Sequence, residues 1–226
     1  MSIYSDSFAA AFGLLATADS DLMEILYLSI NVSLLSLALS CSIGLPIGAI
    51  LAIRQFHGRD ALVGIFNALM GLPPVVVGLL VYLHLSRSGP FGWLGLLYTP
   101  QAMVIAQMIL ITPIIIALSC QLLEDMHEGY KDFFDSLVVP KRAALVAYIV
   151  DARYSLMTVI LAGFGRAVSE VGAVIIVGGN IDHLTRVMTT AISLETRMGN
   201  LEYAMALGLV LISITIIIYS FVYLLN

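Results

Sequence analysis

The chain has 226 residues, of which 60% are hydrophobic and only 11% are charged, and its formal net charge at pH 7 is −5. Because charged residues make up about a quarter of a typical soluble domain, this composition excludes an ordinary water-soluble protein. The charge balance is acidic and there is no basic block, so the sequence gives no sign of a nucleic-acid partner.

Apolar segments long enough to cross a bilayer recur along the chain, and a membrane-spanning helix needs about 20 such residues. They predict an all-α integral membrane protein with about five transmembrane helices, at about 22–53, 61–85, 99–122, 155–177 and 203–225. Residues 1–20 are mildly apolar, acidic at their edges and short for a span, which predicts an interfacial helix on the membrane. A sixth span is the alternative for these residues. The remainder, 21–226, is predicted to form one domain.

Prolines interrupt three of the predicted spans. Proline removes a helix hydrogen bond and clashes with the preceding turn, so we expect kinks at Pro46, at Pro113 and at the adjacent pair Pro73 and Pro74. Backbone carbonyls freed at membrane depth are tolerated only against protein or water. We therefore expect Pro73 and Pro74 to face the protein interior.

The most polar stretch, residues 124–152, lies between the third and fourth predicted spans. It is amphiphilic and helix-prone, which suits docking to a soluble protein on one side of the bilayer. Lysine and arginine favour the cytoplasmic side, and six lie on the side that carries this stretch against three on the other. This count puts the stretch in the cytoplasm, the N-terminus outside and the C-terminus inside. The six are Arg54, Arg59, Lys131, Lys141, Arg142 and Arg153, and the three are Arg87, Arg186 and Arg197.

The fourth predicted span carries two charged residues, which lipid does not tolerate unpaired. Arg166 and Glu170 are four positions apart, so we expect them to share one face of a helix. Two interpretations are open: an intrahelical or intersubunit ion pair that neutralises both charges, or a gate whose contacts change during transport. Gly163 and Gly172 belong to a set of small residues on this span, which predicts close helix packing.

Patterns that carry catalysis or bind metal are not present in the sequence. An ATP-binding P-loop ends in glycine, lysine and serine or threonine, and neither of the two lysines follows a glycine. The four histidines lie on different segments, so no metal site is predicted. Cys41 and Cys120 lie inside apolar spans and are expected to be packing residues.

Three runs of residues near the fourth span carry a family resemblance. They are GFGRAVSEVGA at 163–173, VGGNI at 177–181 and TRVMTTAISLET at 185–196. Together with the order of spans and the polar stretch before the penultimate span, they resemble the permease subunits of ABC importers for sulfate, molybdate and tungstate. The resemblance is closest to tungstate-uptake permeases, and it extends from about residue 26 to the C-terminus.

The resemblance implies a type I ABC-importer permease fold in a prokaryotic cell (inner) membrane. Two copies of the chain would form a homodimer in membrane lipid, with two cytoplasmic ABC ATPase subunits and an external oxyanion-binding protein. ATP and Mg would bind to the ATPase, so no cofactor is expected on this chain. The chain itself is expected to be a transport subunit and not an enzyme.

The resemblance also implies that 124–152 is the coupling loop. Such loops read E-A-A, three residues, G, nine residues, I-x-L-P, and here those positions hold Asp132-Phe133-Phe134, Val138 and residues 148–151. Of the motif residues only the acidic one is retained, as Asp132. Pro140 is expected to supply the break in the helix that the glycine of the motif would make. Phe133 and Phe134 are expected to fill a groove in the ATPase, or alternatively to pack on the permease or at the membrane interface. The predicted coupling residues are Tyr130, Asp132, Phe133, Phe134, Asp135, Ser136, Leu137, Val138 and Pro140.

Residues 185–196 have apolar side chains at near-helical spacing, which predicts a short helix at the outer mouth. Its hydroxyl groups could hydrogen-bond a passing oxyanion or cap helix turns, and capping is the preferred interpretation. Asn180, just after two glycines, is expected to shape an external gate. The predicted gate and pathway residues are Arg166, Ser169, Glu170, Asn180, Thr189 and Thr190.

Tungstate is the predicted cargo, and molybdate or sulfate is the alternative within the same group. A self-sufficient secondary carrier is the alternative from a different class, but it predicts repeated halves, and five spans do not divide equally. A membrane-embedded hydrolase would need a nucleophile and base that this sequence does not arrange.

Overall fold

A computed structural model describes residue 13, residues 20–137, residue 140, residues 146–147 and residues 149–224. Within these ranges the regular structure is helical and no strand occurs. The predicted interfacial helix at 1–20 falls almost entirely outside the described residues. The helices are α1 (Ser20–Ile53), α2 (Arg59–Leu69), α3 (Pro74–Leu85), α4 (Pro100–Ser136), α5 (Arg153–Val168), α6 (Gly172–Gly178), α7 (Met188–Met198) and α8 (Leu201–Leu224), with a 3-10 turn at Gly92–Leu94.

In the part of the chain that the structure describes, three helical segments are long and apolar enough to cross a membrane by themselves: Ser20–Ile53, Pro100–Tyr130 and Leu201–Val222. Two further spans exist only as bent pairs, because α2 meets α3 at 99° and α5 meets α6 at 54°. The prediction of an all-α membrane protein is confirmed. The second and fourth predicted spans are not single helices, and the total reaches five only when each bent pair counts as one span.

The sharper break lies at the adjacent prolines. Pro74 occupies the first turn of α3, where its missing N–H costs no helix hydrogen bond, and Pro73 has an extended ψ of 123° just before it. The predicted interruption at this pair is therefore confirmed. Pro73 is exposed on this chain and Pro74 is half-buried, and their orientation toward the protein interior of the assembled transporter stays a prediction. By contrast, α1 and α4 continue through Pro46 and Pro113, where kinks remain a prediction.

The third predicted span continues beyond its expected end at residue 122. Helix α4 runs on to Ser136, so residues 124–136 form a polar helical extension and not the start of a loop. We call residues 124–136 the α4 extension. Its residues include good helix formers such as Glu124, Met126 and Glu128, and no proline follows until Pro140.

The chain divides into two compact units, and both α1 and α4 contribute to each. The first unit comprises Met1–Leu35, Pro73–Gln107 and Ala167–Asn226, and the second comprises Ser36–Leu72 and Met108–Arg166. The first has an apolar cluster of Leu22, Ile25, Met188, Ala191, Ala206, Leu207 and Val210. The second has a cluster of Ala49, Leu51, Ala52, Ile116, Cys120, Leu123 and Ala152.

Small residues allow close helix approach within the second unit. A Cβ atom added to Gly48 of α1 would meet the Ser119 hydroxyl of α4 and lie 2.9 Å from the Ile116 carbonyl oxygen. One added to Gly163 of α5 would lie 2.8 Å from the side chain of Ile115. The predicted close packing at Gly163 is confirmed, because glycine is the residue that fits there.

Candidate functional site

The break between α5 and α6 is organised around Glu170. Helix α5 ends at Val168, so Glu170 lies beyond it and the prediction of a helix face shared with Arg166 is wrong. Glu170 is only 3% exposed, and its Oε1 accepts a hydrogen bond of 3.0 Å from the Ala173 N–H in the first turn of α6. A carboxylate at a helix N-terminus satisfies an orphan N–H and interacts favourably with the helix dipole. Of the neighbouring predicted gate residues, Arg166 is half-buried on α5 and Ser169 is exposed in the break.

Glu170 is also connected to the outer helix α7. The Thr189 hydroxyl donates a hydrogen bond of 2.8 Å to the Glu170 carbonyl oxygen. The buried Thr190 hydroxyl accepts from the Val187 N–H at 3.0 Å and donates to the Val187 carbonyl at 3.0 Å. The predicted short helix at 185–196 is confirmed as α7, and both threonines bond to backbone groups. For Thr190 this contact is a helix cap, as expected.

The two short helices that follow the chain breaks pack on each other in the first unit. A Cβ atom on Gly78 of α3 would lie 2.8 Å from Cα of Ala173 on α6. One on Gly172 would lie 3.0 Å from the Val75 side chain and 3.5 Å from Pro74. Since Pro74 and Gly172 each begin a helix, the N-terminal ends of α3 and α6 lie side by side. Any tilt of one short helix must therefore be accommodated by the other.

The turn from α6 to α7 contains three residues with positive φ. Gly179, Asn180 and His183 have φ of 73°, 52° and 54°, in the left-handed region that disfavours residues other than glycine. The buried Thr185 hydroxyl donates to the Gly178 carbonyl at 2.6 Å and accepts from the Ile181 N–H at 2.9 Å, which closes the turn. Asn180 Oδ1 is buried with no hydrogen-bond partner among the described residues.

A cavity of about 220 Å³ lies between the start of α1, this turn and α7. Its charged lining is mainly acidic: Asp21, Glu24, Asp182 and Glu195, with His183 and Arg186. His183 Nδ1 lies 2.8 Å from Glu24 Oε2, and Arg186 Nη1 lies 2.6 Å from Asp182 Oδ1. The hydrogen bond to Glu24 and the charge of Asp182 raise the pKa of His183. The excess of carboxylates makes this cavity unfavourable for an oxyanion.

Of the predicted coupling residues, Tyr130 and residues 132–136 belong to the α4 extension, and Leu137 and Pro140 follow it. Tyr130 is 41% exposed, Leu137 directly after the helix is 59% exposed, and Pro140 is exposed outside it. The backbone of residues 132–136 belongs to the last turns of α4. The side chains of residues 131–135, and Val138 entirely, lie outside the described part of the chain. The first part of the predicted coupling loop is therefore the end of a long helix.

Sequence reasoning missed a buried arginine in the second unit. Arg59, the first residue of α2, is 7% exposed and donates from Nε to the Leu51 carbonyl at 2.7 Å. Its Nη1 contacts Asp60 at 3.0 Å and its Nη2 contacts Glu124 at 2.6 Å. One feature of the sequence is compatible with this contact: Arg59 and Glu124 flank predicted spans on the same predicted side of the membrane.

Comparison with known proteins identifies the family. The family model described as "Binding-protein-dependent transport system inner membrane component" matches residues 44–226. The chain is 40% identical over 200 residues to the "Probable anion ABC transporter permease protein" of Haloferax volcanii, covering 86% of each chain. It is 37% identical over 223 residues to the "Tungstate uptake system permease protein TupB" of Peptoclostridium acidaminophilum, covering 99% of this chain and 98% of the relative.

A second protein with that TupB name, from Campylobacter jejuni, is 37% identical over 209 residues, covering 92% of this chain and 87% of the relative. Relatives with sulfate or molybdenum in their names show 25% and 27% identity. The resemblance seen in the residues is confirmed. Because the family model covers most of the chain and these relatives align along nearly all of it, the chain belongs to the binding-protein-dependent transport system inner membrane components and is a multi-pass transport subunit, the permease of an ABC transporter.

Proposed function

We propose that this permease imports tungstate, driven by ATP hydrolysis on a separate subunit. The observation that carries the proposal is the near full-length similarity to two relatives named as tungstate uptake permeases. Molybdate or sulfate is the alternative cargo, supported by the relatives with those names at lower identity. Family membership argues against a self-sufficient secondary carrier.

Two copies of the chain form the pathway, two cytoplasmic ATPase subunits supply ATP and Mg, and an external oxyanion-binding protein delivers the anion. The N-terminus lies outside and the C-terminus in the cytoplasm, as the distribution of lysine and arginine supports. Apolar surface for lipid or for the second copy is present on α8. Its most exposed apolar residues include Ile212, Ile216, Ile217 and Phe221.

The gate is the segment from the α5–α6 break to α7. Glu170 caps α6 with its carboxylate and accepts from Thr189 with its carbonyl, so one residue connects the short helix to α7. Arg166, Ser169, Asn180 and Thr190 flank this connection in the chain. Alternating access requires two arrangements of the gate, and a break between helices is a place where such a change needs few contacts to be remade.

Coupling takes place through the α4 extension, whose last turns carry Phe133 and Phe134. A rigid helix that leaves the span and ends at the ATPase transmits a displacement better than a flexible loop. These two aromatic residues are the anchors for a groove in the ATPase.

The cargo is tested by deleting the gene in its host and measuring cellular tungsten and molybdenum by mass spectrometry at nanomolar supply of each oxyanion. We expect tungsten alone to fall and the restored gene to recover it. An equal fall of molybdenum would widen the cargo to both oxyanions. If neither element changes, the oxyanion assignment is wrong.

The coupling segment is tested by changing Phe133 and Phe134 together to alanine. We expect the permease to remain in the membrane and to lose the ATPase on affinity purification. Phe56→Ala is the matched control, because Phe56 is an exposed aromatic residue in the connection between α1 and α2. Equal recovery of the ATPase with the double variant and with the control would contradict docking through these residues.

A further inference from the structure

A buried arginine of the second unit, hydrogen-bonded through each of its three side-chain nitrogens, lies where the α4 extension begins. Arg59 is almost completely buried, and its guanidinium reaches three acceptors on three segments of the chain. Nε bonds to Leu51 O in the last turn of α1, Nη1 to Asp60 on α2, and Nη2 to Glu124 on α4. A lysine has no planar fork, so it could not serve these acceptors in this geometry.

Each contact has a separate physical reason. The Leu51 carbonyl belongs to the end of α1, where helix carbonyls lack intrahelical partners and a cation interacts favourably with the dipole. The same cation is unfavourable at the N-terminus of α2, and the carboxylates of Glu124 and Asp60 offset this repulsion to the degree that each is shielded from water. The two carboxylates differ in burial, since the Glu124 side chain is 33% exposed and that of Asp60 is 92% exposed. The bond to Glu124 is therefore the less screened of the two.

The surroundings of this bond are apolar. Leu51 and Leu123, which precedes Glu124, both belong to the buried cluster of the second unit and are 4% and 1% exposed. A charge-assisted hydrogen bond beside such a cluster is stronger and less adaptable than the same bond in water. It holds the start of the α4 extension at a defined place against the α1–α2 connection.

We propose that Arg59, through Glu124, is a positioning residue for energy coupling. The bridge makes the α4 extension move together with α1 and α2 when the ATPase displaces its end. Position 133 is nine residues beyond Glu124, or about 14 Å along a helix at 1.5 Å per residue. The contact between Arg59 and Glu124 therefore holds the start of the α4 extension, while the ATPase displaces its other end. This inference rests on the proposed coupling role of the α4 extension.

The test compares Glu124→Ala, Glu124→Gln and Asp60→Asn in the complete transporter, with ATPase and binding protein, in proteoliposomes. Tungstate uptake and ATP hydrolysis are measured together, and their ratio is the readout. For Glu124→Ala we expect continued hydrolysis with uptake per ATP reduced by about tenfold, within the range that mutations in coupling networks produce. Glu124→Gln keeps an acceptor for Nη2 and should recover part of the ratio. Asp60→Asn, which changes the exposed partner of the same arginine, should keep the wild-type ratio.

A purely structural bridge would lower hydrolysis and uptake in parallel, with an unchanged ratio. This result overturns the proposal. If Glu124→Ala does not assemble, Glu124→Asp replaces it, because the shorter side chain withdraws the carboxylate by one methylene and should also lower the ratio. Failure of the proposed function is distinguishable, because the wild-type complex would then show no ATP-dependent tungstate uptake.

Discussion

The contact between α3 and α6 at Gly78 offers a direct test of the broken-helix architecture. A methyl group in the variant Gly78→Ala would lie 2.8 Å from Cα and 3.1 Å from the carbonyl oxygen of Ala173. Both are backbone atoms, which cannot rotate away as a side chain can. Because carbon atoms rest about 3.5–4.0 Å apart, the two helices must separate by more than about half an ångström.

Two opposing contributions determine how Gly78→Ala changes the free energy of unfolding. Overpacking of a close contact costs about 1–3 kcal/mol. Replacing a mid-helix glycine by alanine stabilises the helix by about 0.5–1 kcal/mol. Gly64→Ala is the matched control, since Gly64 lies in the middle of α2 and an added Cβ there meets nothing within 4 Å. The difference between the two variants isolates the overpacking contribution, so we expect Gly78→Ala to be less stable than Gly64→Ala by about 1–3 kcal/mol.

Thermal unfolding of the purified permease in detergent measures this difference. We expect a melting temperature below that of the wild type for Gly78→Ala and equal to or above it for Gly64→Ala. Equal melting temperatures for the two variants would refute the close approach of α3 and α6. The side-by-side arrangement of their N-terminal ends would then be wrong as well.

Three further predictions concern other contacts. Gly48→Ala would place a methyl group 2.9 Å from a backbone carbonyl of α4, so we expect about 1–3 kcal/mol of destabilisation in the same unfolding assay. Thr189→Val removes the hydrogen bond to the Glu170 carbonyl while the side chain keeps nearly the same shape. We expect it to lower the free energy of unfolding by about 0.5–1.5 kcal/mol. An unchanged melting temperature would contradict this hydrogen bond. The hydrogen bond to Glu24 raises the pKa of His183, so protonation stabilises the folded state. This contribution is complete below the ordinary pKa of about 6.5 and is lost as pH rises through the raised value, so the melting temperature should fall over that interval in the wild type and not in His183→Gln.

Composition and hydrophobic pattern were sufficient to predict an all-α membrane protein and the approximate positions of its apolar segments, but not the break between α5 and α6 or the length of α4. Length and apolar content are local properties, and the bilayer imposes them on the segments that cross it. The break at Pro73 and Pro74 was also predictable, since two adjacent prolines cannot continue a helix. The runs at 163–173, 177–181 and 185–196 were enough to recognise the family.

Other features were decided only by contacts between segments that are distant in sequence. The chain leaves its helix at Val168, so Glu170 caps a new helix and bonds to α7 instead of sharing a helix face with Arg166. The spacing of two charges predicts a shared face only where the helix continues between them. Likewise, no local pattern pairs Arg59 with Glu124, which lies 65 positions later along the chain. The amino-acid sequence thus determined the helical segments, the membrane environment and the family, and the tertiary structure determined which polar groups meet, because burial leaves such groups only the partners that packing brings within reach.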